Sequence, residues 1–216
     1  TYLMITILPF GPLQSNMYIL SNSNGYIIID PCVGVDLTTS YLSSFSVEKV
    51  KAVIMTHAHF DHLMYVDEWR SALHDDVPFY LSHEDVPLLK DANLNRSQNR
   101  GLSQEYVVET LDVCHMDSKL FLDEYYCQVL NTPGHTKGSV CYCFSSKNNT
   151  CKPMMFTGDT IFCDSIGRTD LPTGSYMQMR DSIRLIKSLI GDYDIFPGHG
   201  ESTCLSQQKQ TNPFFI

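Results

Sequence analysis

The stretch Thr56-His57-Ala58-His59-Phe60-Asp61-His62 puts three histidines and a carboxylate within six consecutive positions, directly after a β-branched apolar run at residues 50–55. Such a density of ligand-bearing side chains needs a rigid strand end to aim it and further chain to complete it. In extended backbone alternate side chains point the same way, so His57 and His59 face one side and can grip one ion. Asp61 and His62 follow once the chain has turned and can face a second ion close by. Imidazole nitrogen and carboxylate oxygen suit zinc first, with iron and manganese as alternatives. The competing reading, a histidine-rich surface loop, fits so dense a ligand cluster poorly.

Two ions need more ligands than one loop supplies, and three later positions offer them. His135 stands in Thr132-Pro133-Gly134-His135-Thr136, Asp159 in Thr157-Gly158-Asp159-Thr160, and His199 in Phe196-Pro197-Gly198-His199-Gly200. Each follows a short apolar run that reads as a strand, where a scaffold can aim a loop side chain. A glycine beside each lets backbone approach closely. Any one of them alone would more often be structural; with the first cluster they complete a two-metal set.

Around these positions short apolar runs alternate with helical patterns. Residues 2–8, 17–20 and 26–29 read as strands joined by Gly-, Pro- and Asn-rich turns. A helix is expected over 35–45, a buried strand over 50–55, a helix over 63–73, a strand over 79–81 and a short helix over 86–89. Residues 93–104 lack periodicity and read as a surface loop. Strands follow at 125–130, 139–144 and 154–156. A helix over 176–190 carries Met179, Ile183, Ile186 and Ile190 at helical spacing, and a last strand spans 194–196. Strands and helices in both halves imply two sheets packed face to face with helices outside, in a single domain over residues 1–216.

Hydrophobic residues make up 43% of the 216, enough for a continuous core, and the formal net charge is −9. A field of that sign repels phosphate backbones, which excludes nucleic acid as a general partner but leaves a small anionic substrate open. No run approaches the ~20 apolar residues that span a bilayer, so no membrane partner is expected. Thr1 to Phe10 does not read as a secretory leader. The eight cysteines include no Cys-x-x-Cys pair. They read as reduced, mostly buried thiols of a cytoplasmic protein, with Cys141 and Cys143 on one face of a strand. The oligomeric state is left open.

The Thr-His-Ala-His-Phe-Asp-His run, the Pro-Gly-His at 133–135, the Gly-Asp-Thr at 158–160 and the Pro-Gly-His-Gly at 197–200 resemble the metallo-β-lactamase superfamily over nearly the whole chain. That resemblance implies a four-layer αββα sandwich of mixed α/β class, with two metals at one edge. By position, His57, His59 and His135 would hold the first metal, and Asp61, His62 and His199 the second, with Asp159 bridging them. Asp30, in Ile29-Asp30-Pro31, would support the ligands from behind.

Within the superfamily, Gly158-Asp159-Thr160-Ile161-Phe162 followed by Gly167-Arg168-Thr169-Asp170 is similar to the glyoxalase II (hydroxyacylglutathione hydrolase) group. Arg168 falls where that group carries a basic residue that contacts a glutathione carboxylate; the alternative is a surface arginine paired with a nearby acid. Glyoxalase II has a C-terminal helical domain, whereas here the sequence ends soon after His199. This looks like the shorter single-domain relatives and puts glutathione as the substrate in question. The loop at 93–104 is a candidate partial cover for the site.

The implied chemistry is hydrolysis of a thioester by hydroxide generated between two divalent ions, with Asp61 as ligand and orienting group. No Gly-x-Ser-x-Gly elbow is present. Two rival readings stand beside it. One is a mononuclear-iron persulfide dioxygenase using His57, His135 and Asp159. The other is a non-catalytic binding module on the same fold, against which the complete ligand set counts.

Overall fold

In the strand β2 (Ser15–Asn22) every residue except the last is buried, which requires cover on both faces of its sheet. The computed structural model, which describes residues 3–116, 125–148 and 151–215, supplies that cover as four layers. β1 (Met4–Phe10), β2, β3 (Gly25–Ile29), β4 (Val50–Ile54), β5 (Phe79–Leu81) and β6 (Leu111–Asp112) form the first sheet in that order. Its first three strands pair antiparallel, and β3 to β6 pair parallel. The second sheet is built from β7 (Tyr125–Asn131), β8 (Val140–Ser146), β9 (Met154–Gly158), β12 (Asp194–Pro197) and β13 (Thr203–Cys204). Its order is β13-β12-β9-β8-β7. A small hairpin of β10 (Ile161–Phe162) and β11 (Ser165–Ile166) projects from the end of β9.

The period-2 alternation of strand side chains divides the core into three slabs. Tyr18, Leu20, Ile27, Ile29 and Ile54 point inward and meet Tyr125, Tyr142, Phe144 and Phe156 of the second sheet. Met17, Ile19, Ile28 and Val53 point the other way, onto Leu63, Val66 and Trp69. On the far side Cys141, Cys143 and Met155 pack against Met179, Ile183 and Ile186. The last three lie on α5 (Tyr176–Ser188). The layers therefore run helix, sheet, sheet, helix, as expected.

Two hydrogen bonds tie the sheets together beside the ligand motifs. The Tyr142 hydroxyl donates to the Met55 carbonyl at 2.8 Å, just before the histidine run, and Asn16 Nδ2 donates to the Pro197 carbonyl at 3.1 Å, just before His199.

Several element boundaries differ from expectation. The helix expected over 63–73 is two pieces, α2 (Phe60–Leu63) and α3 (Val66–Ala72), because Tyr65 turns its N–H to the Pro31 carbonyl at 3.1 Å. The helix at 35–45 is α1 (Val35–Tyr41) and stops at Leu42, whose φ and ψ of −118° and 81° leave the helical region. Periodicity carried α5 to Ile190, but the helix ends at Ser188 and Ile190 is 95% exposed. The first strand begins at Met4, and Tyr2 lies outside the described residues. α4 (Val86–Leu89) stands where expected, while α6 (Leu205–Thr211) had not been anticipated.

All eight cysteines are free thiols, and four are buried, so "mostly buried" overstated their cover. No helix of the described residues is long and apolar enough to cross a membrane.

Candidate metal centre

The histidine run begins where β4 ends and continues through α2, for which His59 is the extended N-cap. His135 follows β7, Asp159 follows β9 and His199 follows β12, so four strand ends from two sheets converge on one edge. All seven side chains predicted as ligands are brought together there. The ligand atoms of His57, His59 and His135 lie within 4.8 Å of one another, and so do those of Asp61, His62 and His199. A third such set, His57, His62 and Asp159, joins the two. Asp159 Oδ2 is 3.3 Å from His135 Nε2 and 3.4 Å from His199 Nε2, so its carboxylate spans both groups.

Hydrogen bonds on the outer edge of four imidazoles decide which nitrogen faces inward. His135 Nδ1 lies 2.8 Å from the Arg168 carbonyl and His199 Nδ1 3.0 Å from the Leu13 carbonyl. A carbonyl only accepts, so each Nδ1 carries the proton and each Nε2 is left with a lone pair when the ring is neutral. His62 Nδ1 faces Asp30 Oδ2 at 3.0 Å, with the same result. The Thr56 hydroxyl donates to Asp30 Oδ2 at 2.7 Å, leaving its oxygen to accept from His57 Nδ1 at 3.1 Å. The His57 Nε2 lone pair is then buried without any hydrogen-bond partner, while Asp159 Oδ1 has His62 Nε2 at 3.3 Å. A buried lone pair with no donor in reach is costly, and a cation is the partner that this donor set fits.

The electrostatics of the ion-free cluster point the same way. Burial pushes His57 well below the ordinary imidazole value, with the His62 charge adding to it, and carries His59 down to about 3. Burial also disfavours charge on His199, but hydrogen bonds to Asp159 and Asp61 outweigh it and raise its pKa to about 9. For Asp61, burial is overcome by the His62 charge and the His199 and Ser15 hydrogen bonds, which hold the carboxyl below its ordinary range. The Asp61 and Asp159 carboxylates thus favour positive charge at His62 and His199.

Glycine makes the approach possible at two points. A Cβ on Gly198 would sit 2.3 Å from Asp159 Oδ1 and 2.7 Å from His62 Cε1. Gly134 has φ of +146°, and a Cβ there would meet the α5 backbone at 2.5 Å. α5 is capped by Ser175 and bonded through Ser182 Oγ to the Pro133 carbonyl at 2.7 Å, so it buttresses the turn that carries His135.

Two contributors went unforeseen. The Ser15 hydroxyl donates to Asp61 Oδ2 at 2.7 Å. Asp85, fully buried, accepts from Ala58 N at 2.9 Å, Gly138 N at 2.7 Å and Thr136 Oγ1 at 2.8 Å, lashing the first histidine loop to the His135 loop. Neither carries a sequence signal, since an isolated Ser or Asp looks alike on any loop. Asp30, expected behind the ligands, is there, held at φ of +53°, a conformation that Asp tolerates better than most residues.

The cluster opens into a cleft of about 700 Å³ whose walls include Leu13, Phe60, Phe162, Ile166 and Leu171, with Arg96, Asn99, Arg100 and Arg168 among its polar residues. Arg168 lines the cleft, and its guanidinium is gripped by Asp170 through Nε at 2.8 Å and Nη2 at 2.7 Å, the pairing with a nearby acid that was the alternative reading.

The sequence profile of the Metallo-beta-lactamase superfamily matches residues 10–199. The chain belongs to this superfamily. A probable metallo-hydrolase of Streptococcus pyogenes is 34% identical over 93% of this chain and 85% of its own length. One of Bacillus subtilis is 31% identical over 96% and 95%. The crystal structure of BLEG-1, a B3 metallo-beta-lactamase, is similar with a TM-score of 0.83 at 30% identity, covering 99% of this chain and all of that one. A protein crystallised in a di-iron-bound form gives a TM-score of 0.78 at 31% identity over 97% and 99% of the two chains. The metallo-beta-lactamase fold is thus the architecture derived above from strand alternation.

Proposed function

We propose that this member of the metallo-beta-lactamase superfamily is a metal-dependent hydrolase that cleaves thioesters of the glyoxalase II type. His57, His59 and His135 would hold one divalent ion; Asp61, His62 and His199 would hold the other; and Asp159 would bridge. The observation that carries this reading is the inward-facing set of imidazole lone pairs, led by the orphaned His57 Nε2. The relatives named as metallo-hydrolases and the di-iron-bound neighbour support it. Zinc is the first expectation for such a nitrogen and oxygen set, with iron or manganese as alternatives.

Two divalent ions bound there supply Lewis acidity to a carbonyl and lower the pKa of water from ~15.7 towards ~7. The chain's own groups do the rest. Asp61, kept ionised and held by Ser15, is an acceptor that orients attacking water. Phe60, Phe162 and Ile166 shape an apolar wall that limits competing solvent. Arg168 positions His135 through its carbonyl, and its side chain lines the cleft.

The residues lining the cleft support a thiolate leaving group. Apart from the ligands, its charged residues are arginines, which do not give up protons near neutral pH. An amide's leaving amine needs a general acid, whereas a thiol of pKa ~8.5 departs readily as thiolate. A thioester, whose leaving group needs no general acid, is the acyl compound that fits this cleft best.

Metal content of protein purified without added metal, read by elemental mass spectrometry, tests the site. About two ions per chain is the expected result. A single iron per chain, with oxygen uptake on glutathione persulfide, would replace the hydrolase by a dioxygenase. Turnover of a thioester should exceed that of its amide isostere at least ~100-fold; equal rates would remove the thioester assignment.

A further inference from the structure

The segment at 93–104, expected to be a surface loop without periodicity and a candidate partial cover for the site, is a built part of the cleft. Asn95 is fully buried: its side-chain nitrogen donates to the Leu88 and Gln104 carbonyls at 3.1 and 2.8 Å. Its own carbonyl accepts from Phe60 N at 2.9 Å, inside the histidine run. Ser97, also buried, accepts from Gln104 N at 3.1 Å. Between these anchors Arg96 adopts a left-handed φ of +73°, and a single 3-10 turn (Ser97–Arg100) follows. Arg96 and Arg100, carried by this segment, line the cleft.

Apart from the proposed metal ligands, the charged residues lining the cleft are opposite in sign to the molecule. Arg96, Arg100 and Arg168 meet there in a chain of net charge −9. Among the described residues the arginine ion pairs belong to Arg168, Arg180 and Arg184. Arg168 is already neutralised by Asp170, on which Arg96 also acts from nearby. Arg96 and Arg100 are therefore the two guanidiniums at the mouth with capacity left. Arginine's planar fork favours carboxylate and phosphate oxygens, and an unpaired charge in a cleft focuses ligands of opposite sign.

We propose that Arg96 and Arg100 are specificity-determining residues that clamp an anionic group of the substrate, carboxylate or phosphate, remote from its scissile acyl carbon. The apolar wall of Phe60, Phe162 and Leu171 lies in the same cleft, so the preferred substrate joins an apolar stretch to an anionic end. This proposal rests on the hydrolase reading for its acyl carbon, but the clamp acts on binding alone.

The test compares two hydrolysis-inert ligands, the thioether S-acetonyl-N-acetylcysteine and its carboxamide, which differ in one carboxylate. Binding to the metal-loaded protein is read by isothermal titration calorimetry. The wild type should prefer the carboxylate at least ~10-fold, with the preference shrinking as salt rises. The double variant Arg96→Gln/Arg100→Gln should bind both within ~2-fold, with circular dichroism and melting confirming an intact fold. Arg180→Gln/Arg184→Gln, on the exposed face of α5, removes the same charge away from the cleft and should retain the preference. No preference in the wild type, a preference that survives in the cleft variant, or equal loss in the α5 control would each overturn the clamp. Phosphonate replacing carboxylate distinguishes the two anions. If the corresponding thioesters are not hydrolysed while this binding pattern holds, the hydrolase reading fails and the clamp stands.

Discussion

Asp30 Oδ2 lies 3.0 Å from His62 Nδ1 and also accepts the Thr56 hydroxyl at 2.7 Å, so one carboxylate sets the ring orientation of His62 directly and of His57 through Thr56. The Thr56 N–H adds a third bond, to Asp30 Oδ1 at 2.7 Å. A residue that touches no ion thus governs a ligand of each proposed metal.

Asp30→Asn keeps the size and tolerates the left-handed backbone, but removes the charge that makes His62 Nε2 a strong donor. Metal affinity should fall ~10- to 100-fold, read by competition with a chelator. Unchanged affinity for both ions would show that Asp30 only fills space.

Gly198→Ala tests the close approach of the last turn. Its Cβ would sit 2.3 Å from Asp159 Oδ1, a contact relieved only by moving Asp159, His62 or the turn itself. Metal content should drop below two per chain and turnover by at least ~100-fold. Wild-type metal content and activity would place the slack elsewhere.

Asp85→Asn replaces a carboxylate that accepts three hydrogen bonds with an amide that turns a donor toward one of them. The mismatch should cost about 1–3 kcal/mol in chemical denaturation. It should also weaken metal binding, because Ala58 and Thr136 flank His57, His59 and His135. Thr136→Val, which removes one donor and leaves the charge, should do less of both.

The ligands were legible because their motifs are contiguous and their chemistry is rare, and the layers because strands and helices recur in both halves and the motifs resemble the superfamily. What stayed hidden depends on distant partners. Ser15 matters through Asp61, 46 positions away, and Asp85 through Thr136, 51 away. The break between α2 and α3 comes from Pro31, which no helical periodicity encodes. Ile190 continues a helical pattern past the last turn of α5, where Leu189 already has a ψ of 136°. The segment at 93–104 lacked periodicity because its order comes from Asn95 and Ser97 rather than from an apolar face.

Acid stability should carry the mark of Asp192. Burial pushes its pKa up, but bonds from Lys152 and from Ser206 N and Oγ outweigh that and bring it down to about 2. Because the folded value lies below the unfolded ~3.9, its stabilisation is complete above about pH 4 and is lost as pH falls towards 2. Asp192→Asn should flatten the stability curve in that window. The side chain is 36% exposed, so after screening the cost at pH 7 should be about 1 kcal/mol. An unaltered acid-unfolding profile would sink this assignment.

Metal removal should be felt as lost stability, since without a cation the His57 Nε2 lone pair is buried with no hydrogen-bond partner. A ligand that binds only the folded chain at 1,000 times its Kd stabilises by about 4.1 kcal/mol. For a chain of this size each kcal/mol is worth about 2–4 °C in Tm. Chelation should therefore lower Tm by roughly 8–16 °C, reversibly on adding zinc. In Asp159→Ala the metal-dependent rise should shrink to less than half, because the group that joins the two sets is gone. A Tm indifferent to chelator and zinc would remove metal from the fold's energetics and, with it, the reason for this arrangement of histidines.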